Sequence, residues 1–395
     1  MPDVMTAAAL CAVGAEKAVS NEIRKLGLEI CESGFGRVRF KTDGQGLYKT
    51  LIGLRAADRV LLETAWFKAE DFDALFDGTK SVPWETFIPK GSGLAVAKVR
   101  TNRSTLMAET SIQAIVHKAA AERLCKKWGV LRLPDTEEKA ELRVYIEKNN
   151  VSLLLDLSGE PLFKRGYRTE GGIAPLRETT AAALILLSGW KRKFPLHDPF
   201  CGSGTIAAEA AMYAWDMAPG LNRGFAIDRL LLSDKKTEKY VRDEFLEHID
   251  FTRLVRISGS DSDAKSVRLS KTNIEKIYAA VRGRGKGEPT LPHFEVMPMK
   301  DATALACGAT AAGSANTDEG YIITNPPYGR RLGSQEDSEE IYKDMGGLAQ
   351  MFPGWRLVVI TDHSGFESFF GKKADSCREI TNGAIQSYMY QYERL

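Results

Sequence analysis

Five short apolar runs in the C-terminal half, FPLHDPF, RLVRISGSD, HFEVMPMKD, GYIITNPP and WRLVVITD, are each followed by a stretch with helical spacing. Strand and helix alternating in this way predict a parallel sheet with helices on both faces, from about residue 161 onward. Two further strands flank Asn382-Gly383, a hairpin signal, so the sheet is expected to close with an antiparallel pair. Upstream, GAEKAVSNEIRKLG reads as a helix stopped by Gly27 and RVRFKTD alternates as a strand, which gives a small α+β unit over residues 1–65. A second α+β unit follows to about 160, with strands at LAVAKVR, ELRVYIEKN and VSLLLDLSG and a helix from Thr110 to Trp128.

Several classes are excluded early. The N-terminus carries Asp3 where a signal peptide has basic residues, and no targeting segment is expected. The longest apolar run, Thr179–Trp190, is shorter than the roughly 20 residues a membrane span needs and reads as a buried helix. The six cysteines stand singly, without C-x-x-C spacing or a nearby histidine pair, so neither disulfides nor a zinc site is expected and the compartment reads as reducing. The net charge of +2 announces no nucleic-acid partner. Between Gly91 and Arg132, however, eight Lys or Arg face two Glu, a local excess of six positive charges suited either to a phosphate backbone or to a solvated helix face.

The first strand of the C-terminal half runs into Asp198-Pro199-Phe200-Cys201-Gly202-Ser203-Gly204-Thr205. Glycines at a strand-to-helix turn let backbone amides approach a ligand at the open end of a parallel sheet. There is no third glycine at dinucleotide spacing and no Walker lysine, and Asp198 suits a cationic amino-acid group better than a pyrophosphate. The second strand delivers Asp261-Ser262-Asp263 to the same edge, where a carboxylate can accept from a ribose; the third delivers Asp301-Ala302, placed to meet an adenine amino group. Each acid alone also fits a helix N-cap.

The fourth strand ends in Asn325-Pro326-Pro327-Tyr328-Gly329. Prolines stiffen the chain there, so the Asn325 amide oxygen and the Pro326 carbonyl are fixed acceptors for an amino group, and Tyr328 offers a face on which an extruded base can stack. The loop 281–292, rich in Gly, Pro and Arg, reads as a mobile surface insertion or an RNA contact.

On these residues the chain resembles the S-adenosylmethionine-dependent N-methyltransferases, and more narrowly the THUMP-domain methyltransferases of the 23S ribosomal RNA guanine-N2 type. DPFCGSGT (198–205) is similar to that family's cofactor turn, Asp261 to its ribose acid, Asp301 to its adenine contact and NPPYG (325–329) to its catalytic segment. FKRGYRTEGGIAPLRETTAAALI (163–185) resembles its lead-in segment, and VRTNRSTLMAETSIQAIVHKAAAERL (99–124) a THUMP module behind a ferredoxin-like partner. The resemblance implies a Rossmann-like α/β methyltransferase domain over 161–395, with a mostly parallel seven-stranded sheet, preceded by a ferredoxin-like domain (1–65) and a THUMP domain (66–160). It implies transfer from S-adenosylmethionine, leaving S-adenosylhomocysteine, to a guanine N2 of 23S ribosomal RNA in the cytoplasm, without a metal. Asn325, Pro326 and Tyr328 are the expected catalytic set, and Asp198, Phe200, Gly202, Gly204, Thr205, Asp261, Ser262, Asp301 and Ala302 the expected cofactor set. Lys98, Arg100, Arg103, Lys118 and Arg165 are the expected RNA contacts. Some bacterial members carry a second methyltransferase downstream, whereas these residues end at Leu395 after the hairpin, so one methylating activity is expected. Transfer-RNA guanine-N2 enzymes, DNA adenine-N6 methyltransferases, which share N-P-P-Y, and a non-catalytic assembly factor are the rival readings.

Overall fold

The computed structural model describes residues 4–168, 176–253, 256–303, 319–327, 335–383 and 385–395. Two seven-stranded sheets organise them.

The first sheet is built from β1 (Met5–Cys11), β2 (Glu29–Gly34), β3 (Arg37–Thr42), β4 (Ala57–Lys68), β5 (Gly93–Asn102), β6 (Lys139–Glu147) and β7 (Asn150–Asp156). Its order is β2-β3-β1-β4-β7-β6-β5. Helices α1 (Glu16–Lys25), α2 (Gly44–Gly53), α3 (Phe72–Ser81) and α4 (Glu109–Trp128) pack against it. Local signals set their ends: the Asp43 carboxylate accepts from Gly46 N at the start of α2, and α4 stops at Gly129 in the left-handed region, φ 68°. Along β3 the pattern is period two, with Val38, Phe40 and Thr42 buried and Arg37, Arg39 and Lys41 on the opposite face. β4 pairs with β1 on one side and β7 on the other, so the two α+β units share one continuous sheet and residue 65 falls inside a strand.

The second sheet holds β8 (Leu196–Asp198), β9 (Ile257–Asp261), β10 (His293–Val296), β11 (Tyr321–Thr324), β12 (Arg356–Thr361), β13 (Ser376–Asn382) and β14 (Ile385–Tyr392). Its order is β10-β9-β8-β11-β12-β14-β13; β8 to β12 run parallel and β14 lies antiparallel between β12 and β13. The five parallel strands and the closing hairpin fall where the apolar runs and Asn382-Gly383 placed them. Around it lie α5 (Glu178–Leu187), α6 (Thr205–Ala214) and α8 (Ala264–Ala279), while α7 (Lys235–Glu247) packs on α2. Ala181, Ala183, Leu184 and Ile185 of α5 are fully enclosed, which accounts for its apolar run, and no described helix is long and apolar enough to cross a membrane. From β8 the chain moves outward to β9 and β10 on one side and to β11 and β12 on the other. This reversal opens a crevice at the carboxyl ends of β8 and β11.

The halves are fastened together. Tyr48 Oη of α2 accepts from Asp234 N at 2.9 Å, Lys49 pairs with Glu244 at 2.9 Å, and Val13 O accepts from Thr381 N of the hairpin at 3.1 Å. The 281–292 loop is held by Phe251 N donating to Lys286 O and Lys286 N to Ile249 O, ahead of β9. That puts it at the amino edge of the sheet, away from the crevice.

Candidate active site

The turn after β8 separates its two glycines by role. At Gly204, φ +77°, a Cβ would sit 2.6 Å from Ser270 Cβ on α8, so this glycine allows helix and turn to pack. At Gly202, φ +52°, a Cβ would meet nothing within 4 Å, so its surface faces open space where a ligand can approach the backbone. Gly202 N donates to Asp261 Oδ2 at 2.9 Å, and Cys201 N to Ser260 O at 2.9 Å, which clamps the turn to the end of β9. Asn273 Nδ2 donates to Ser203 O at 2.9 Å from α8.

The acids at the strand ends divide similarly. Asp263 is the N-cap of α8, accepting from Lys265 N and Ser266 N, while Asp261 lies two residues earlier and reaches toward the turn. Its other oxygen accepts from Asp263 N at 2.9 Å, and each oxygen keeps a lone pair for a ribose hydroxyl. Ser262 is exposed beside it. After β10, Asp301 is exposed at the end of a single 3-10 turn, with Ala302 buried behind it. Phe200 is half-buried against the aromatic cluster under β11 and β12.

Asp198 is 1% exposed. Its Oδ1 accepts from Thr324 Oγ1 at 2.6 Å and from Phe200 N at 3.2 Å. Burial, reinforced by the neighbouring Asp261 charge, pushes its carboxyl up to about 7 despite these two bonds. Next to it His197 lies buried between the hydroxyls of Ser258 and Ser260, and burial pushes it down to about 3, so it is a neutral spacer in the sheet.

β11 then carries Asn325 and Pro326 to the crevice, both buried. Among the described residues Asn325 Oδ1 has no hydrogen-bond partner, although it is shielded from water. A buried, unpaired acceptor costs about 1–3 kcal/mol, and it is tolerated where a ligand supplies the missing donor. Tyr328 lies outside the described residues.

Residues without an obvious sequence signal complete the site. Thr324 links the two motifs, and Arg168 of the lead-in segment donates to Thr205 Oγ1 at 2.7 Å and to Leu176 O at 3.0 Å, beside Glu178 at 3.6 Å. Thr205 is thus a buried strut between lead-in segment and turn, with its hydroxyl already engaged.

Of the expected RNA contacts, Arg165 must be corrected. It is buried, its guanidinium bonded to Leu162 O, Arg55 O and Glu209, and Tyr167 Oη donates to the same Glu209 at 3.2 Å. A buried charge survives only when paired, and this one latches the N-terminal sheet to α6 and offers RNA nothing. The other four do not share one surface. Lys98 and Arg100 lie on β5 in register with Arg143 and Tyr145, on the sheet face away from the helices. Arg103 follows β5 with φ 49°, and Lys118 stands on α4 over the Phe76 ring of α3 at 5.8 Å.

A doubly wound sheet with a glycine turn at its reversal point, acids on successive strand ends and a proline-stiffened asparagine beside them defines a nucleoside-cofactor transferase. The chain belongs to the RMKL-like methyltransferase family, whose domain model matches residues 165–391. The RlmL ferredoxin-like domain matches 6–61 and the THUMP domain 69–156. It is 37% identical to YpsC of Bacillus subtilis, an RNA methyltransferase by name only, over 98% of this chain and 95% of that protein. It is 32% identical to the ribosomal RNA large subunit methyltransferase K/L of Syntrophotalea carbinolica over 96% of this chain, which spans only 52% of that relative. Among solved structures, SMU.472, a methyltransferase complexed with SAH, superposes with a TM-score of 0.84 at 33% identity over 100% of this chain and 99% of its own. A methylase from Clostridium difficile 630 gives 0.85 at 36% identity, with 99% and 98% covered.

Proposed function

We propose that this protein is an S-adenosylmethionine-dependent RNA methyltransferase that modifies the exocyclic N2 of a guanine in 23S ribosomal RNA. The observation that carries this reading is Asn325 Oδ1, a shielded acceptor without a donor among the described residues, at the sheet reversal and one residue from the Thr324–Asp198 bond.

The site fits the cofactor by its own chemistry, and SMU.472, solved with SAH, supports the assignment. Gly202 leaves room for a ligand against the backbone, Asp261 has acceptors for a ribose, Asp301, exposed after β10, is assigned to the adenine amino group, and Asp198 is assigned the charge for an ammonium. S-adenosylmethionine brings a methyl group on a sulfonium, already a strong electrophile.

The protein's task is therefore alignment. A guanine amine is conjugated with its ring and weakly nucleophilic. Asn325 Oδ1 and the Pro326 carbonyl accept its two hydrogens, turning the nitrogen lone pair toward the methyl carbon. The N–C bond forms as the S–C bond breaks, and the displaced amine proton leaves to solvent after transfer. Asn325 has no basic group, so its contribution is position and electrostatics. Tyr328 is assigned the stacking face for the extruded base.

The K/L relatives, named for large-subunit ribosomal RNA, and the THUMP match favour RNA, and the cytoplasm is the assigned compartment. One solved structure favours a second reading: an N6-adenine-specific DNA methylase by name, from Listeria monocytogenes, is 34% identical with a TM-score of 0.84. Labelled methyl transfer to separate pools of unmodified ribosomal RNA, transfer RNA and DNA, followed by nucleoside digestion, decides between them. N2-methylguanosine in large ribosomal RNA is the expected product; the same nucleoside in transfer RNA alone moves the substrate, and N6-methyladenine in DNA overturns the reading.

A further inference from the structure

The helices cover one face of the N-terminal sheet, and the other face carries a patterned surface. Cross-strand register sets Trp66, Ser152, Tyr145 and Arg100 in one row across β4, β7, β6 and β5. Arg37 and Arg59 share another row through Leu10. In a flat sheet four spacings of about 4.8 Å, roughly 19 Å, would separate β3 from β6. Arg37 nonetheless lies over the Tyr145 ring at 5.4 Å, so the two long side chains lean toward each other across the strands between them, and the face is hollowed beside Tyr145.

The hollow is a groove of about 450 Å³ where Arg59, Arg143 and Arg177 meet Phe35, Tyr145 and Phe163. Arg59 and Arg143 share the buried carboxylate of Asp156, at 2.6 and 3.2 Å, Glu141 lies 3.8 Å from Arg143 and Asp58 pairs with Arg177 at 3.3 Å, so these three are compensated, whereas Arg37 has no carboxylate partner among the described residues. Arg177 lies over Phe163 at 4.7 Å. Phe35 forms the rim. Its ring is 95% exposed and its backbone sits at φ 51°, a region that disfavours bulky side chains. Packing within the chain gives no reason for an aromatic residue there.

The groove also points somewhere. Gly36 O accepts from Cys11 N, Val13 O accepts from Thr381 N, and Arg177 N donates to Asn382 Oδ1. Phe35 and Arg177 therefore gather around the β13–β14 turn, which projects beyond the carboxyl end of β12, on the same edge as Asn325.

We propose that this concave face is a track for unpaired RNA leading to the catalytic edge, in which the Arg37 guanidinium takes a phosphate and Phe35 stacks a base. Aromatic faces open to solvent suit single strands, whose bases are free to stack, and a duplex hides those faces. The inference rests on the RNA reading above but makes its own commitment about strandedness and place.

Fluorescence anisotropy of the full chain with an unstructured 12-nucleotide RNA, and with the duplex formed from the same strand, tests it. The single strand is expected to bind more tightly. Phe35→Ala should weaken it by about ten-fold without changing the salt slope, Phe35→Tyr should restore it, and Arg37→Gln should lower the slope by about 0.7. Equal or tighter binding of the duplex, or unchanged single-strand affinity in Phe35→Ala, overturns the proposal. Failure here beside methyl transfer to RNA leaves the function standing; Phe35-dependent binding without transfer to any RNA keeps the groove and removes the function.

Discussion

The Thr324 hydroxyl donates to Asp198 Oδ1 at 2.6 Å, so the residue before Asn325 is bonded to the acid that opens the glycine turn. The glycine turn and the Asn325-Pro326 segment are therefore held in register by a short contact between adjacent strands, β8 and β11.

Asp198 should make cofactor binding depend on pH. Burial holds its carboxyl up to about 7. Between its ordinary value and 7 the unfolded chain is ionised while the folded chain keeps the proton, so its contribution to stability declines as pH rises through that window and levels off above it. A cationic ligand selects the ionised form. Affinity for S-adenosylmethionine should consequently fall about ten-fold per unit as pH drops below about 7, with proton release on binding. Calorimetric titrations from about pH 5.5 to 8 read this directly, and Asp198→Asn should be weak and flat. A flat wild-type profile would remove Asp198 from the ammonium contact.

Asn325→Ala should separate stability from turnover. Transfer is expected to fall about 100- to 1,000-fold with cofactor affinity retained. The variant also deletes an unpaired buried acceptor, so its melting temperature should stay level or rise by up to about 4 °C. Single-turnover kinetics beside a thermal melt tests both; undiminished turnover would exclude the assigned role.

The two glycines of the turn should fail differently. Gly204→Ala forces a Cβ to within 2.6 Å of Ser270 Cβ, and a loss of about 2–4 kcal/mol is expected. Gly202→Ala meets open space and should cost only about 1–2 kcal/mol, from its positive φ, while cofactor affinity drops at least about ten-fold. Denaturant melts with and without cofactor distinguish them, and the assignment of the open space fails if Gly202→Ala binds normally.

Arg165→Met should damage the fold and not RNA recognition. It strands Glu209 in the interior, at an expected cost of about 3–5 kcal/mol, and Glu209→Leu in the same chain should recover most of it. Urea denaturation of the single and double variants measures this, and a single variant as stable as wild type would mean the latch carries little.

The parallel strands, the glycine turn and Asn325-Pro326 were legible because they are local: each is a short run whose chemistry is complete within a few residues. Arg165 was not, since it sits among Lys164, Arg168 and exposed neighbours in a basic-looking segment, and only the fold shows that its partner is Glu209 on α6. Lys118 and Arg100 read as one basic patch along the chain but belong to opposite layers, a helix and a sheet face. The Thr324–Asp198 bond joins residues 126 positions apart and becomes visible only once β8 and β11 are adjacent.

β4 is paired along both edges, by β1 and by β7. Cutting the chain near residue 65 would bare a long row of backbone amides and carbonyls, and such an edge recruits foreign strands. The ferredoxin-like and THUMP segments are thus a single heritable module: evolution can trade it between catalytic partners as a piece, but neither segment can be exchanged without a substitute strand to seal the seam.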